Sequence, residues 1–116
     1  MIAVDYEAYY GKLRNRRNEI LMTLEHVHRE QRSVNDNKEM IDQAAYKSRL
    51  DLLDNLAEWY VNETARIDNA LIRIAEGKYG VCLGCHEPIE PPRLEATPEA
   101  AFCAACQKMR EELSEV

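Results

Sequence analysis

Four cysteines, Cys82, Cys85, Cys103 and Cys106, fall late in the chain with the spacing C-x2-C-x17-C-x2-C. Two thiolates three residues apart on a tight knuckle can both reach one ion at about 2.3 Å, and a second such pair completes a tetrahedron. Gly80 precedes the first pair and Gly84 lies inside it, where the backbone has to turn sharply. Pro88, Pro91 and Pro92 should leave the intervening stretch stiff and poor in regular structure. The spacing points to one structural zinc ion held by all four thiolates. Such a site is closed, so it folds its segment and performs no chemistry.

Three other chemistries use the same residues. Two disulfides would need an oxidising compartment. A redox C-x-x-C wants a single pair beside a βαβ pattern, which is absent from this sequence. Cys82-Leu83-Gly84-Cys85-His86 also spells the C-x-x-C-H haem-attachment motif, but that assignment leaves Cys103 and Cys106 unused. His86 reads instead as a solvent-facing knuckle residue, and His26 and His28 as solvent-facing helix positions.

The elements that must carry this site are helical. From Asp5 to about Arg32, Tyr6, Tyr10, Leu13, Ile20, Leu24 and Val27 recur at three- and four-residue steps, with Arg17 standing where an apolar residue is expected. Asp5 suits an N-cap. A second stripe runs Ile41, Ala45, Leu52, Leu56, Trp59, Ile67, Leu71 and Ile74 and ends at Gly77, a C′ candidate. The run Ser33-Val34-Asn35-Asp36-Asn37 breaks the two, and so short a connection makes them antiparallel neighbours. The expected fold is all-α. Residues 1–76 form a long antiparallel coiled-coil hairpin with its tip near 33–44, and residues 77–116 form a four-cysteine zinc finger at its base with a short C-terminal helix. At 1.5 Å per residue the shorter arm would reach about 40 Å.

At the hairpin tip, Glu39 and Asp42 project from one face of the second helix, and Asp42 is followed by the small Ala44 and Ala45. Asp36 and Glu39 also have the spacing of a capping box, so local helix capping alone could account for acids here.

Charge narrows the function. The 116 residues carry 15 Lys and Arg against 21 Asp and Glu, a net charge of −6, and residues 77–116 hold four basic and seven acidic side chains. A chain so charged does not bind by neutralising phosphates, so direct DNA binding is not expected. Neither a membrane-length apolar run nor a secretory start is present, and a cytoplasmic location is the expectation. The absence of a nucleophile–base pair or a phosphate loop argues against an enzyme.

The run from Gly77 through Lys78-Tyr79-Gly80-Val81 to Cys85, followed by Arg93-Leu94-Glu95-Ala96-Thr97-Pro98 and Cys103-Ala104-Ala105-Cys106, resembles the DksA/TraR zinc-finger family. The resemblance implies a bacterial transcription regulator that binds RNA polymerase without touching DNA and acts as a monomer. It would insert its hairpin into the secondary channel, through which nucleotides reach the active site, and modulate initiation. A gapless count from the first zinc cysteine puts the family's tip pattern, D-x-x-D-x-A, on Glu39, Asp42 and Ala44. Glu39 departs by one methylene. The count also puts the family's contacts for the alarmone ppGpp on Arg66, Thr97 and Gln107, of which only Arg66 keeps a cation. Weak dependence on ppGpp is therefore implied. Long members carry an N-terminal segment ahead of the hairpin, and here the hairpin begins almost at Met1. Gre-type factors use similar tip acids to hold a metal for transcript cleavage, which the resemblance disfavours. The reading from another class is a zinc-stabilised coiled-coil scaffold with no polymerase activity.

Overall fold

The computed structural model describes residues 5–114. Helix α1 spans Tyr6–Asp36, a single 3-10 turn Lys38–Met40, and helix α2 Gln43–Ala75; two short helices follow, α3 at Pro91–Ala96 and α4 at Ala104–Ser114. No strand occurs among the described residues, only an isolated antiparallel bridge between Val81 and Pro88. The fold is all-α, as the periodicity predicts.

The seam of α1 is a strict heptad. Leu13, Ile20, Val27 and Val34 are all buried and lie seven residues apart, the repeat that winds helices into a left-handed coiled coil. Val34 is why the expected break at Ser33–Asn37 does not occur there: it continues the seam by one more heptad, and the helix runs on to Asp36. Between these positions Arg17, Leu24 and Gln31 are half-buried. Tyr6 and Tyr10, expected on the seam, are instead exposed.

In the first half of α2 the buried face is displaced from the expected one. Leu52, Leu56 and Trp59 are exposed. The seam runs through Tyr46, Leu50, Leu53, Ala57, Tyr60, Thr64 and Ile67, alternating four- and three-residue steps. Two tyrosines and a threonine occupy positions that hydrophobicity alone would give to leucine and tryptophan. Tyrosine can fill a seam with its ring and keep its hydroxyl at the edge.

The molecule divides into two compact units. In the unit Arg16–Ala65, Gln31 Nε2 donates to Asp54 Oδ1 at 2.8 Å and Tyr46 Oη donates to Asn35 Oδ1 at 2.6 Å. Arg16 Nη2 lies 3.5 Å from Glu63 Oε1, whose side chain is almost fully buried. Partners ascend along α1 as they descend along α2, which is an antiparallel coiled coil. The Arg16–Glu63 pair sets a cation against a nearly buried carboxylate, the condition on which such a group is kept inside a seam.

The other unit takes residues 5–15 and 66–114. Its α2 segment ends in a Schellman motif, with Gly77 at φ 72°, Gly77 N–H on the Ile74 carbonyl at 3.1 Å and Lys78 N–H on the Arg73 carbonyl at 2.8 Å. Tyr79 is the largest fully buried side chain, and its hydroxyl donates to the Pro98 carbonyl at 2.7 Å. The rings of Tyr6 and Tyr9 pack on Tyr79 at centroid distances of 6.2 and 5.5 Å. Lys12 Nζ donates to the Glu95 carbonyl at 2.9 Å, tying the start of α1 to α3. Tyr79→Phe is expected to cost about 1–3 kcal/mol, because it strands a buried carbonyl while leaving the ring in place. A thermal melt measures this, and an unchanged midpoint would mean water serves that carbonyl.

Candidate metal centre and acidic turn

The four cysteines converge. Their Sγ atoms all lie within 4.8 Å of one another, and Cys85 and Cys103 are 3.9 Å apart. A tetrahedron with metal–sulfur bonds of about 2.3 Å has an edge of roughly 3.8 Å, so the spacing already matches that of a zinc site. The donor set fits as well, since four soft thiolates select zinc over hard cations.

Each pair is built differently. The first sits on a knuckle closed by Cys82 N–H on the Glu87 carbonyl at 2.8 Å and His86 N–H on the Cys82 carbonyl at 2.9 Å. The sharp backbone positions there are Gly80, at φ 86°, and His86, at φ 63°. His86 is exposed, as expected, and its contribution is the left-handed turn. Gly84 serves by close approach rather than by its own backbone angle. A Cβ there would come within 3.1 Å of Cys106 Sγ. The second pair is presented by a helix: Cys103 immediately precedes α4, Gln107 N–H closes on its carbonyl at 2.9 Å, and Cys106 occupies the first turn. A helix N-terminus favours thiolate.

Amide groups tune the sulfurs. Cys82 Sγ accepts from the N–H of Gly84 and of Cys103, each at 3.3 Å, and Cys103 Sγ accepts from Cys106 N–H at 3.5 Å. Burial pushes the Cys82 thiol up, but backbone N–H groups of Cys103, Cys85 and Gly84 outweigh it and bring it down to about 6. Hydrogen bonding to the Cys103 and Cys82 sulfurs pushes Cys106 up to about 12. Four thiolates this close require a cation, and one structural zinc ion is what the centre is made for.

The segment between the pairs corrects the expectation of irregular chain. Pro91 and Pro92 open α3, because proline at the first helical positions gives up an N–H that would be unpaired there anyway. Arg93 in that helix donates from Nε to the Phe102 carbonyl at 2.9 Å, bracing the approach to Cys103.

Beside the metal centre is a pocket of about 630 Å³ whose walls include Arg66, Thr97 and Gln107, the residues matched to the alarmone contacts. Sequence reasoning missed its other cations: Arg73, Arg93 and Arg110. The signal was available, since Arg66, Asn69 and Arg73 stand on one face of α2 at steps of three and four. These added arginines are engaged already. Arg73 Nη2 reaches the Glu99 and Ala100 carbonyls at 3.5 and 3.4 Å, and Arg110 stacks 4.2 Å from the centroid of the Phe102 ring. Glu99 and Glu111 add negative charge to the same wall. On α4, Met109 and Leu113 are exposed, so they do not cover the metal centre.

The acidic turn belongs to the Arg16–Ala65 unit. Glu39 lies in the 3-10 turn and Asp42 just before α2, both exposed. The Asp36–Glu39 capping box does not form, because Asp36 ends α1. Asp42 is the cap: its Oδ2 accepts from Ala45 N–H at 3.3 Å, and its carbonyl accepts from Tyr46 N–H at 2.8 Å. Ala44 lies in the first turn of α2, exposed beside it.

Residues 77–112 match the model of the prokaryotic dksA/traR C4-type zinc finger. The chain is 45% identical over 56 residues to an uncharacterised protein of Aquifex aeolicus, covering 48% of this chain and 39% of that one. It is 43% identical over 47 residues to the RNA polymerase-binding transcription factor DksA of Caulobacter vibrioides, covering 40% of this chain and 33% of the relative. The sequence matches thus span little more than a third of those relatives. The fold is similar to transcription factor DksA2 of Pseudomonas aeruginosa, with a TM-score of 0.84 and 26% identity across 96% of this chain and 86% of that one. It is also similar to the DnaK suppressor protein of Agrobacterium tumefaciens, with a TM-score of 0.62 and 28% identity over 93% and 96% of the two chains. No helix of the described residues is long and apolar enough to cross a membrane.

Proposed function

We propose that this chain, whose residues 77–112 match the dksA/traR C4-type zinc finger and whose fold is similar to that of DksA2, is a DksA-like member of that family and regulates transcription by binding bacterial RNA polymerase. The observation that carries this reading is the likeness to DksA2 across nearly the whole chain, hairpin as well as zinc module. Residues 1–76 serve as the inserting arm and residues 77–116 as the dock. The arm enters the secondary channel of the polymerase as a monomer, and its acidic turn, with Glu39, Asp42 and Ala44, acts on initiation without catalysing a reaction. Carboxylates brought near a catalytic metal alter its electrostatics without forming a bond.

The alarmone pocket retains Arg66 but offers Thr97 and Gln107 where cations are wanted. A polyphosphorylated nucleotide needs several charge-assisted donors, and Arg73 and Arg110 are already turned to carbonyls and a ring. The dependence on ppGpp is weak. Thr97→Arg combined with Gln107→Lys should enlarge the effect of ppGpp on promoter-complex lifetime. No gain would show that these positions are not the alarmone contacts.

The deciding experiment is binding of the zinc-loaded protein to core RNA polymerase with a Gre-type factor as competitor. Mutual displacement is the expected result. Binding without displacement would move the dock elsewhere and remove the basis for the tip's role. No binding would return the hairpin to a scaffold, whose dimer light scattering would detect.

A further inference from the structure

We propose that Tyr46 is the positioning residue of the acidic turn, a clamp that fixes how Glu39 and Asp42 are presented. The turn itself has little to hold it. Its three residues bury no side chain, and Met40 stands 85% exposed. Local bonds shape it: Asn37 closes on the Ser33 carbonyl through N–H at 3.1 Å and Nδ2 at 2.7 Å, Met40 N–H on the Asn37 carbonyl at 2.9 Å, and Ile41 N–H on the Lys38 carbonyl at 3.4 Å. These bonds reach no further than four residues. Tyr46 reaches eleven, from the first turns of α2 to the last turn of α1, where its hydroxyl donates to Asn35 Oδ1. The ring of the same residue lies 5.3 Å from Lys38 Nζ, so the first residue of the turn is drawn onto it.

Glu39 and Asp42 both fall inside the span that this side chain closes. One half-buried tyrosine thereby ties α1, the turn and α2 together at three points. A short loop carrying charges that must act at a distance from their own backbone gains from being fixed beforehand, because ordering it on arrival would cost conformational entropy. Tyr46 matters to promoter output only if the tip acids do, whereas its hold on the turn is a property of this chain alone.

Tyr46→Phe removes the hydroxyl and keeps both the seam ring and the surface facing Lys38. Amide exchange at Met40 and Ile41 should rise at least about tenfold in this variant, with the melting midpoint close to that of the parent. Asn35→Ala should do the same, the double variant should be no faster than either alone, and Asn35→Asp, which keeps the acceptor, should restore slow exchange. Promoter output should fall in the same order while polymerase affinity holds. Unchanged exchange in Tyr46→Phe overturns the clamp whatever the polymerase does. Faster exchange with full promoter output, when Asp42→Asn has lost it, overturns the positioning role and leaves the tip reading standing. Full output from Asp42→Asn sinks the tip reading, and with it the claim that Tyr46 serves it.

Discussion

Cys82→Ser is expected to abolish tight zinc binding and to unfold the segment that the metal holds. Cys82 is fully buried, and its sulfur accepts two backbone N–H groups, so serine would lose a metal ligand and disturb the knuckle and the Cys103 approach together. Binding of a four-cysteine zinc site is worth about 10–16 kcal/mol near neutral pH, and here that energy is folding energy. Total stabilities of about 5–15 kcal/mol are the norm for whole domains, so the few apolar groups around Tyr79, Ile89 and Leu94 cannot replace it. Far-UV circular dichroism should lose the signal of α3 and α4, six and eleven residues, against the much longer α1 and α2. Chelation of the parent protein should give the same spectrum. Acid should act in the same direction, because protons compete with zinc for thiolate. A Cys82→Ser protein that keeps one tightly bound zinc and an unchanged melt would show that three thiolates suffice.

Asp42→Asn should leave polymerase binding within a few-fold of the parent and remove most of the effect on promoters. The cap geometry makes this substitution a clean probe. Asp42 accepts from Ala45 N–H, and asparagine caps helices about as well as aspartate, so the fold is retained while the charge is lost. Asp42→Ala would confuse the two, since loss of a cap costs about 1 kcal/mol. Promoter-complex lifetimes measured beside affinity separate the outcomes. Parallel loss of both would make Asp42 a docking residue.

The metal centre was legible in the sequence because its ligands come in two short-range pairs, and spacing along the chain already constrains spacing in space. The two long helices were legible because heptads are local, but the turn was displaced: Val34 extends the α1 seam to Asp36, and Asp42, not the Asp36–Glu39 pair, caps α2. The face of α2 was not legible. Leu52, Leu56 and Trp59 form as good a stripe as Tyr46, Leu53 and Tyr60, and hydropathy prefers the former. The choice rests on what α1 offers opposite, including Arg16 for Glu63 and Asn35 for Tyr46, which a single helix cannot reveal. Gly84 was picked out for the wrong reason, since its need is room beside Cys106, a contact between pairs far apart in sequence. The pocket was half visible, in Arg66 but not in Arg73, Arg93 and Arg110, because three of its walls come from separate segments.

The displaced face has an optical consequence. Trp59 is the chain's single tryptophan, half-exposed, with the ring of Tyr60 edge-on at 5.1 Å. Excited selectively, it should emit at the long wavelengths of a hydrated indole even in the native protein and be open to collisional quenchers. Its colour will therefore say little about unfolding. It will respond instead to anything that covers the middle of α2, giving the protein a built-in reporter of what touches its arm.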